Sequence, residues 1–176
     1  MAERVSFRLG TAADLETLRD IDTDASSLFE EAGLFLDLPE THEFSLAERR
    51  RWQECLAART TLIAVDPAMG PIGFAAVGRR DGRAYLAQLS VRRYFMGLGI
   101  GGALLESAAG LASGFAQELW LTTYAHLAWN RPFYERHRFV VMPPDDCGAE
   151  LLEEHRTETK WLPFPEQRVV MRRHLR

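Results

Sequence analysis

The stretch Tyr94–Ala112, YFMGLGIGGALLESAAGLA, decides the fold. Gly97, Gly99, Gly101 and Gly102 crowd together, and a run of helix formers follows at once. Ile100, Ala103, Leu104, Ser107, Ala108, Leu111, Ala112 and Phe115 recur at helical spacing and make one small, apolar face. That pattern predicts a helix packed on a sheet, starting at the C-terminal end of a strand over Ala84–Val91. A helix N-terminus carries unpaired N–H groups and a partial positive charge. Glycines ahead of it let the backbone close around an anion without Cβ clashes. The expectation is a phosphate or pyrophosphate cradle built from main-chain N–H groups between Leu98 and Gly102. A tight strand-to-helix turn alone would need one or two glycines, and this stretch exceeds that need.

Gly97-x-Gly99-x-x-Gly102 also matches the dinucleotide-binding fingerprint. That motif belongs after the first strand of a βαβ unit, with an acidic residue ending the next strand. Here it follows several strands, mostly hairpin-linked, and the next strand, ELWLTT, ends in threonines. The context rejects a nicotinamide site.

Working outward, Val5–Leu9 alternates as a strand. Thr11 caps a helix whose first turn carries Asp14 and which runs to about Thr23. A looser, partly helical stretch follows to Pro39, and Ser45–Arg59 forms a second helix. Thr61–Val65, Ile72–Gly78 and Ala84–Val91 are strands joined by the turns DPAMGP and RRDGR, hence antiparallel neighbours. After the glycine stretch and its helix come the strand Glu118–Thr123, a short helix near Arg131–His137 and a strand at Phe139–Met142. A helix over Glu150–Glu158 and a final strand over Arg168–Arg172 complete the order. The fold class is α/β of the α+β type, with a mixed, mainly antiparallel sheet flanked by helices. No repeat or linker interrupts it, so residues 1–176 are expected to form one domain.

Composition bounds the function. Of 176 residues, 47% are hydrophobic and 26% charged, which predicts a folded, water-soluble chain. No apolar run reaches the ~20 residues of a membrane span. The N-terminal MAERVSFRLG has no signal-peptide apolar segment, and a cytoplasmic location is expected. Cys55 and Cys147 are too few for a disulfide framework or zinc site, and the histidines show no metal spacing, so no metal is expected. A net charge of -4 gives no reason to expect nucleic-acid binding. Ten acidic residues lie between Ala12 and Glu43, where Arg19 is the only Lys or Arg. The four tryptophans are expected in the core or a pocket wall, and the Arg49–Arg51 run on a solvated helix face.

LAQLSVRRYFMGLGIGGALLESA, followed some way on by WNRPFYERHRF, resembles the GCN5-related N-acetyltransferases (GNAT). The first segment is similar to that family's acetyl-CoA pyrophosphate motif, Gln/Arg-x-x-Gly-x-Gly/Ala after a strand ending in Val. The second is similar to its Asn…Tyr-Glu-Lys-x-Gly-Phe segment. The order of elements agrees across nearly the whole chain. The resemblance implies an acetyl-CoA-dependent N-acetyltransferase. Leu89 and Val91 would offer backbone to the pantetheine arm, in a splay between the Ala84–Val91 and Glu118–Thr123 strands. Met96, Gly97, Leu98, Gly99, Ile100 and Gly101, with Gly102 behind them, would wrap the pyrophosphate. Asn130 and Phe133 would line the thiol end, and Tyr134 matches the family's general acid. Homodimers are frequent in the family.

Two departures stand out. Met96 replaces the usual Gln or Arg, which removes one side-chain contribution to the anion site. Arg138 replaces the usual Gly before Phe139. The family's strand glutamate, near Ala87 or Gln88, is also missing. The base is then a water, one of Asp24, Glu30 and Glu31 in the N-terminal helices, or His126. A thioester is an activated acyl donor that an amine attacks directly, so no nucleophilic Ser or Cys is required. A phenol of pKa ~10 can protonate a thiolate of pKa ~8.5. The acidic N-terminal segment suggests a cationic amine acceptor, small molecule or peptide, as carboxylates around a cleft attract cations. A non-catalytic acyl-CoA-binding module is the alternative.

Overall fold

Short strands separated by turn chemistry build the first half of the chain into a meander. The structure, a computed structural model, describes residues 5–176; the leading Met1–Arg4 lies outside them. β1 (Ser6–Leu9), β2 (Thr61–Asp66), β3 (Gly70–Arg80) and β4 (Arg83–Val91) run antiparallel to one another. Two local devices set the hairpins. The Asp66 carboxylate accepts from the Ala68 and Met69 N–H groups, both at 2.9 Å. Asp81 and Gly82, at φ 52° and 72°, make the mirror-image two-residue turn that fits strand twist. β5 (Glu118–Tyr124), β6 (Val140–Met142) and β7 (Arg168–His174) complete a seven-stranded sheet in the order β1-β2-β3-β4-β5-β7-β6. Among the described residues, β4 and β5 are the one parallel pair.

Helices cover both faces. α3 (Ile100–Ser113) lies on one, where Leu104, Leu105 and Ala108 are fully buried or nearly so against β3, β4 and β5. α4 (Arg131–Arg136) joins the same cluster through Phe133 and Tyr134. α1 (Leu15–Glu31) and α2 (Glu43–Ala57) lie on the other face, with Leu18, Ile21, Trp52 and Leu56 packed on Ile63 and Phe74. α5 (Ala149–Trp161) covers the β5–β7 half of that face through Leu151. Complete burial of each large aliphatic side chain contributes about 1.5–3 kcal/mol.

α1 is longer than its sequence predicts. It continues past Thr23 to Glu31, because Ile21, Ala25, Leu28 and Phe29 keep the helical spacing. Ser26–Ser27 suggests a break, but the Ser27 hydroxyl donates to the Asp24 carbonyl at 2.7 Å and stays within the helix. The start of α1 is tied to β1. Asp14 accepts two bonds from the Arg8 guanidinium, at 2.7 and 2.9 Å, and reaches back to the Thr11 N–H at 2.8 Å. Its carboxyl is held down at about 2, chiefly by Arg8.

Candidate active site

The parallel pairing of β4 and β5 lasts for two residues, Ala84 with Leu119 and Tyr85 with Trp120. Both strands continue beyond it, so they splay. A bulge between Leu86 and Gln88, where Ala87 has no partner on β3, bends β4 at the same place. The gap opens into a cavity of about 1030 Å³ that reaches both faces of the sheet. On the α3 side its wall contains Gly97, Gly99, Gly101, Phe133 and Tyr134. On the opposite side it contains Asp22 of α1, Glu48 of α2 and Glu158 of α5.

The glycines have separate physical reasons. Gly97 and Gly99 adopt φ of 76° and 83°, which L side chains rarely take. A Cβ on Gly102 would stand 3.1 Å from the His137 ring. Gly101 faces Val91 and Phe133 at ordinary contact distance. The first bond of α3 runs from the Ala103 N–H to the Gly99 carbonyl at 3.0 Å, which leaves the N–H groups of Ile100, Gly101 and Gly102 ahead of the helical ladder. Leu89, Val91, Met96, Gly102 and Asn130 also line the cavity. The side chains of Leu98 and Ile100 do not: Leu98 is exposed and Ile100 is packed in the core. These two have only backbone to offer an anion. The open β4 edge, the left-handed glycines and the free N–H groups together fit a diphosphate with an extended arm.

The Tyr134 hydroxyl has no hydrogen-bond partner among the described residues, and burial pushes its phenol above the usual range. Its main chain is pinned by the end of α4. Phe139 N–H donates to the Tyr134 carbonyl at 3.1 Å and Arg138 N–H to Glu135 at 3.0 Å, a paired helix-ending motif.

The sequence-predicted bases fare unevenly. His126 is exposed, its ring set against Tyr124 and Phe164, and is not part of the cavity wall. Asp24 is engaged by the Arg93 N–H at 2.7 Å, and Glu31 pairs with the Arg93 guanidinium on the surface. Glu30 reaches the rim. The carboxylate that reaches β4 is Asp22. It accepts from Gln88 Nε2 and Ser90 Oγ, each at 2.7 Å, and burial pushes its carboxyl up. α1 therefore delivers a carboxylate beside the strand position where the family glutamate is missing. The amphipathic period of α1 was the available signal, since Asp22 follows Ile21 on the inward side of the helix.

The Arg49–Arg51 run is not a uniformly solvated face. Arg51 points inward and pairs with Glu154, which also binds Arg80. Arg168 of β7, largely buried, pairs with Glu158 at 2.7 Å and donates to the Thr122 hydroxyl at 3.1 Å. Cys55 is buried and Cys147 partly so, and both are free thiols. Trp52 and Trp120 are core residues, and Trp129 is in the cavity wall. Among the described residues there is no His/Cys/Asp/Glu group suited to a metal, and no helix long and apolar enough to cross a membrane.

A mixed sheet split between parallel neighbours, with a glycine loop at the split, defines an acyl-CoA acyltransferase fold. The model of the acetyltransferase (GNAT) domain matches residues 53–141, and the chain belongs to that family. Solved structures agree in fold. A GNAT-family acetyltransferase from Staphylococcus aureus Mu50 superposes with a TM-score of 0.69 at 15% identity, covering 98% of this chain and 99% of that one. The PaiA N-acetyltransferase of Thermoplasma acidophilum, solved with coenzyme A, gives 0.64 at 18% identity, covering 97% and 98%. N-acetylglutamate synthase from Neisseria gonorrhoeae, complexed with coenzyme A and N-acetyl-glutamate, gives 0.68 at 16% identity. There 98% of this chain is covered but 35% of the synthase, so the chain spans about a third of that protein's length.

Proposed function

We propose that the protein transfers the acetyl group of acetyl-CoA to an amine by direct attack in a ternary complex. The observation that carries this reading is the β4–β5 splay, which brings Tyr134 from one face and Asp22 from the other to a single cavity. The seven strands form one sheet, which supports taking residues 1–176 as a single domain.

Acetyl-CoA supplies an acyl group already activated as a thioester. The N–H groups of Gly97 to Gly102 hold the diphosphate, and the free edge of β4 at Leu89 and Val91 holds the arm. Met96 covers the loop with apolar bulk, so the anion is held by backbone alone. Asn130 and Phe133 border the thiol end. Asp22 takes the proton that the acceptor ammonium must lose before attack, and Gln88 and Ser90 keep its oxygen in place. The nitrogen–carbonyl bond forms, the carbon–sulfur bond breaks, and the products are an amide and CoA. Tyr134 gives its phenolic proton to the departing sulfur and is reprotonated by the second proton that the nitrogen loses on becoming an amide, so that one net proton, the one taken by Asp22, passes to solvent. Burial favours its neutral form, the form that donates.

Release of CoA from acetyl-CoA across a panel of amines tests this directly. Turnover depends on the acceptor, and Tyr134→Phe lowers kcat by about 10²-fold with acetyl-CoA affinity retained. Acetyl-CoA binding without turnover on any amine would sink the proposal.

A further inference from the structure

The part of the cavity away from the glycine loop has two distinct surfaces. One is apolar and aromatic. Phe29 of α1 packs against Tyr124 and Trp129, with ring centroids 6.3 and 6.0 Å apart, and Leu34 and Leu162 join the same cluster. The other is built of carboxyl groups. Asp22 and Glu48 border the cavity from α1 and α2, and neither is paired with a cation among the described residues. Asp22 is met by the neutral donors Gln88, Ser90 and Ser26. Glu48 has no hydrogen-bond or ion-pair partner among the described residues, although it is drawn far enough inside for burial to raise its carboxyl to about 7.

Of the arginines that line the cavity, Arg136 stands on α4 at the glycine-loop side, and the two on the acceptor side are already paired. Arg51 is held by Glu154, and Arg168 by Glu158. An acceptor carrying a carboxylate would find each guanidinium already paired with a carboxylate, only the Nε–H of each left without a partner, and Asp22 and Glu48 facing it. A buried carboxylate without a partner is costly in the free protein and is relieved by a cation that brings its own hydrogen-bond donors.

We infer that the acceptor is an amphipathic monoamine cation, an ammonium group on an apolar or aromatic body with no carboxylate, received by Asp22 and Glu48 and packed against the Phe29–Trp129 wall. The inference rests on the amine-acetylation reading and names its substrate class. Glu48 is the specificity residue. It faces Asp22 from α1, Arg51 on its own helix, and Glu154 and Glu158 from α5. Asp22 stays the proton acceptor, and Glu48 fixes the charge of the acceptor.

The test compares phenethylamine, phenylalanine, glutamate and putrescine as acceptors, with wild type and Glu48→Gln. Calorimetric binding of the same amines to the CoA-loaded protein runs alongside. Phenethylamine is expected to have the highest kcat/KM. Phenylalanine, which differs by its carboxylate, falls at least about tenfold below it. Glu48→Gln raises the KM for phenethylamine about tenfold and leaves acetyl-CoA affinity as it was. Calorimetry gives the same order of amines. Preference for glutamate or phenylalanine, or a KM for phenethylamine unmoved in Glu48→Gln, overturns the inference while acetyl transfer stands. Preference for putrescine overturns its apolar half. If no amine turns over, acetyl transfer fails as a reading, and the calorimetric order still decides which class of molecule the cavity takes.

Discussion

At the scale of single residues, the decisive pair is Asp22 and Tyr134. They come from opposite faces of the sheet and share one cavity because β4 and β5 part after Tyr85 and Trp120. Burial acts on both in a useful direction. It keeps Tyr134 protonated, as an acid must be, and lifts Asp22 toward the range where a base accepts a proton at working pH. The sign of the pH dependence follows. Asp22 works only when ionised, so turnover should fall as pH drops through its raised pKa. Asp22→Asn should lose most acceptor-dependent turnover and also lose that acid limb. Rate against pH, measured with acetyl-CoA saturating, checks both. A limb that survives unchanged in Asp22→Asn would assign the proton to another group.

At the scale of elements, the loop-to-helix unit from Tyr94 to Ser113 was legible in the sequence because its causes are local. Glycine conformation, helix period and the preceding strand all lie within one stretch. The hairpin turns were legible for the same reason. The acidic helices were not. Ten carboxylates between Ala12 and Glu43 look alike as letters, and only the packing of α1 on β4 selects Asp22 from them. Arg51 hides in the same way inside an arginine run, since its partner Glu154 lies far along the chain. The end of α4 illustrates a local rule broken and still readable. Arg138 adopts φ of 68° at the left-handed position of the helix-ending motif, the place where Gly is the usual residue. A non-glycine residue there costs about 1–2 kcal/mol. Its one ion pair is a long contact to Glu106 at 3.8 Å, with the Arg138 side chain well exposed, and offsets little of that. Arg138→Gly should therefore stabilise the protein by about 0.5–1 kcal/mol, after the larger backbone entropy of glycine in the unfolded chain is allowed for. Urea unfolding checks it. A less stable Arg138→Gly would mean that the side chain holds α4 in place, and with it Tyr134.

At the scale of the whole molecule, the acceptor cavity is bought with stability. α1, α2 and α5 bring Asp22, Glu48, Glu154 and Glu158 to one side of the sheet, while, among the described residues, Arg51, Arg80 and Arg168 form ion pairs with the last two alone. The folded state thus confines a carboxylate, Glu48, that prefers water. In the unfolded chain Glu48 titrates near 4.5, and in the folded protein near 7. The folded state holds the Glu48 proton more tightly. This group's contribution to stability is fully present below about 4.5 and is lost as pH rises through about 7. Glu48→Gln keeps the shape and removes the titration. Its stability relative to wild type should rise steadily between those two values and level off above them. Chemical denaturation of both proteins at a series of pH values measures the difference. A flat difference would show that Glu48 is no harder to ionise when folded than when unfolded. A difference that grows with pH, in a variant whose phenethylamine KM has also risen, would locate in one side chain both the cost of the cavity and its preference for a cation.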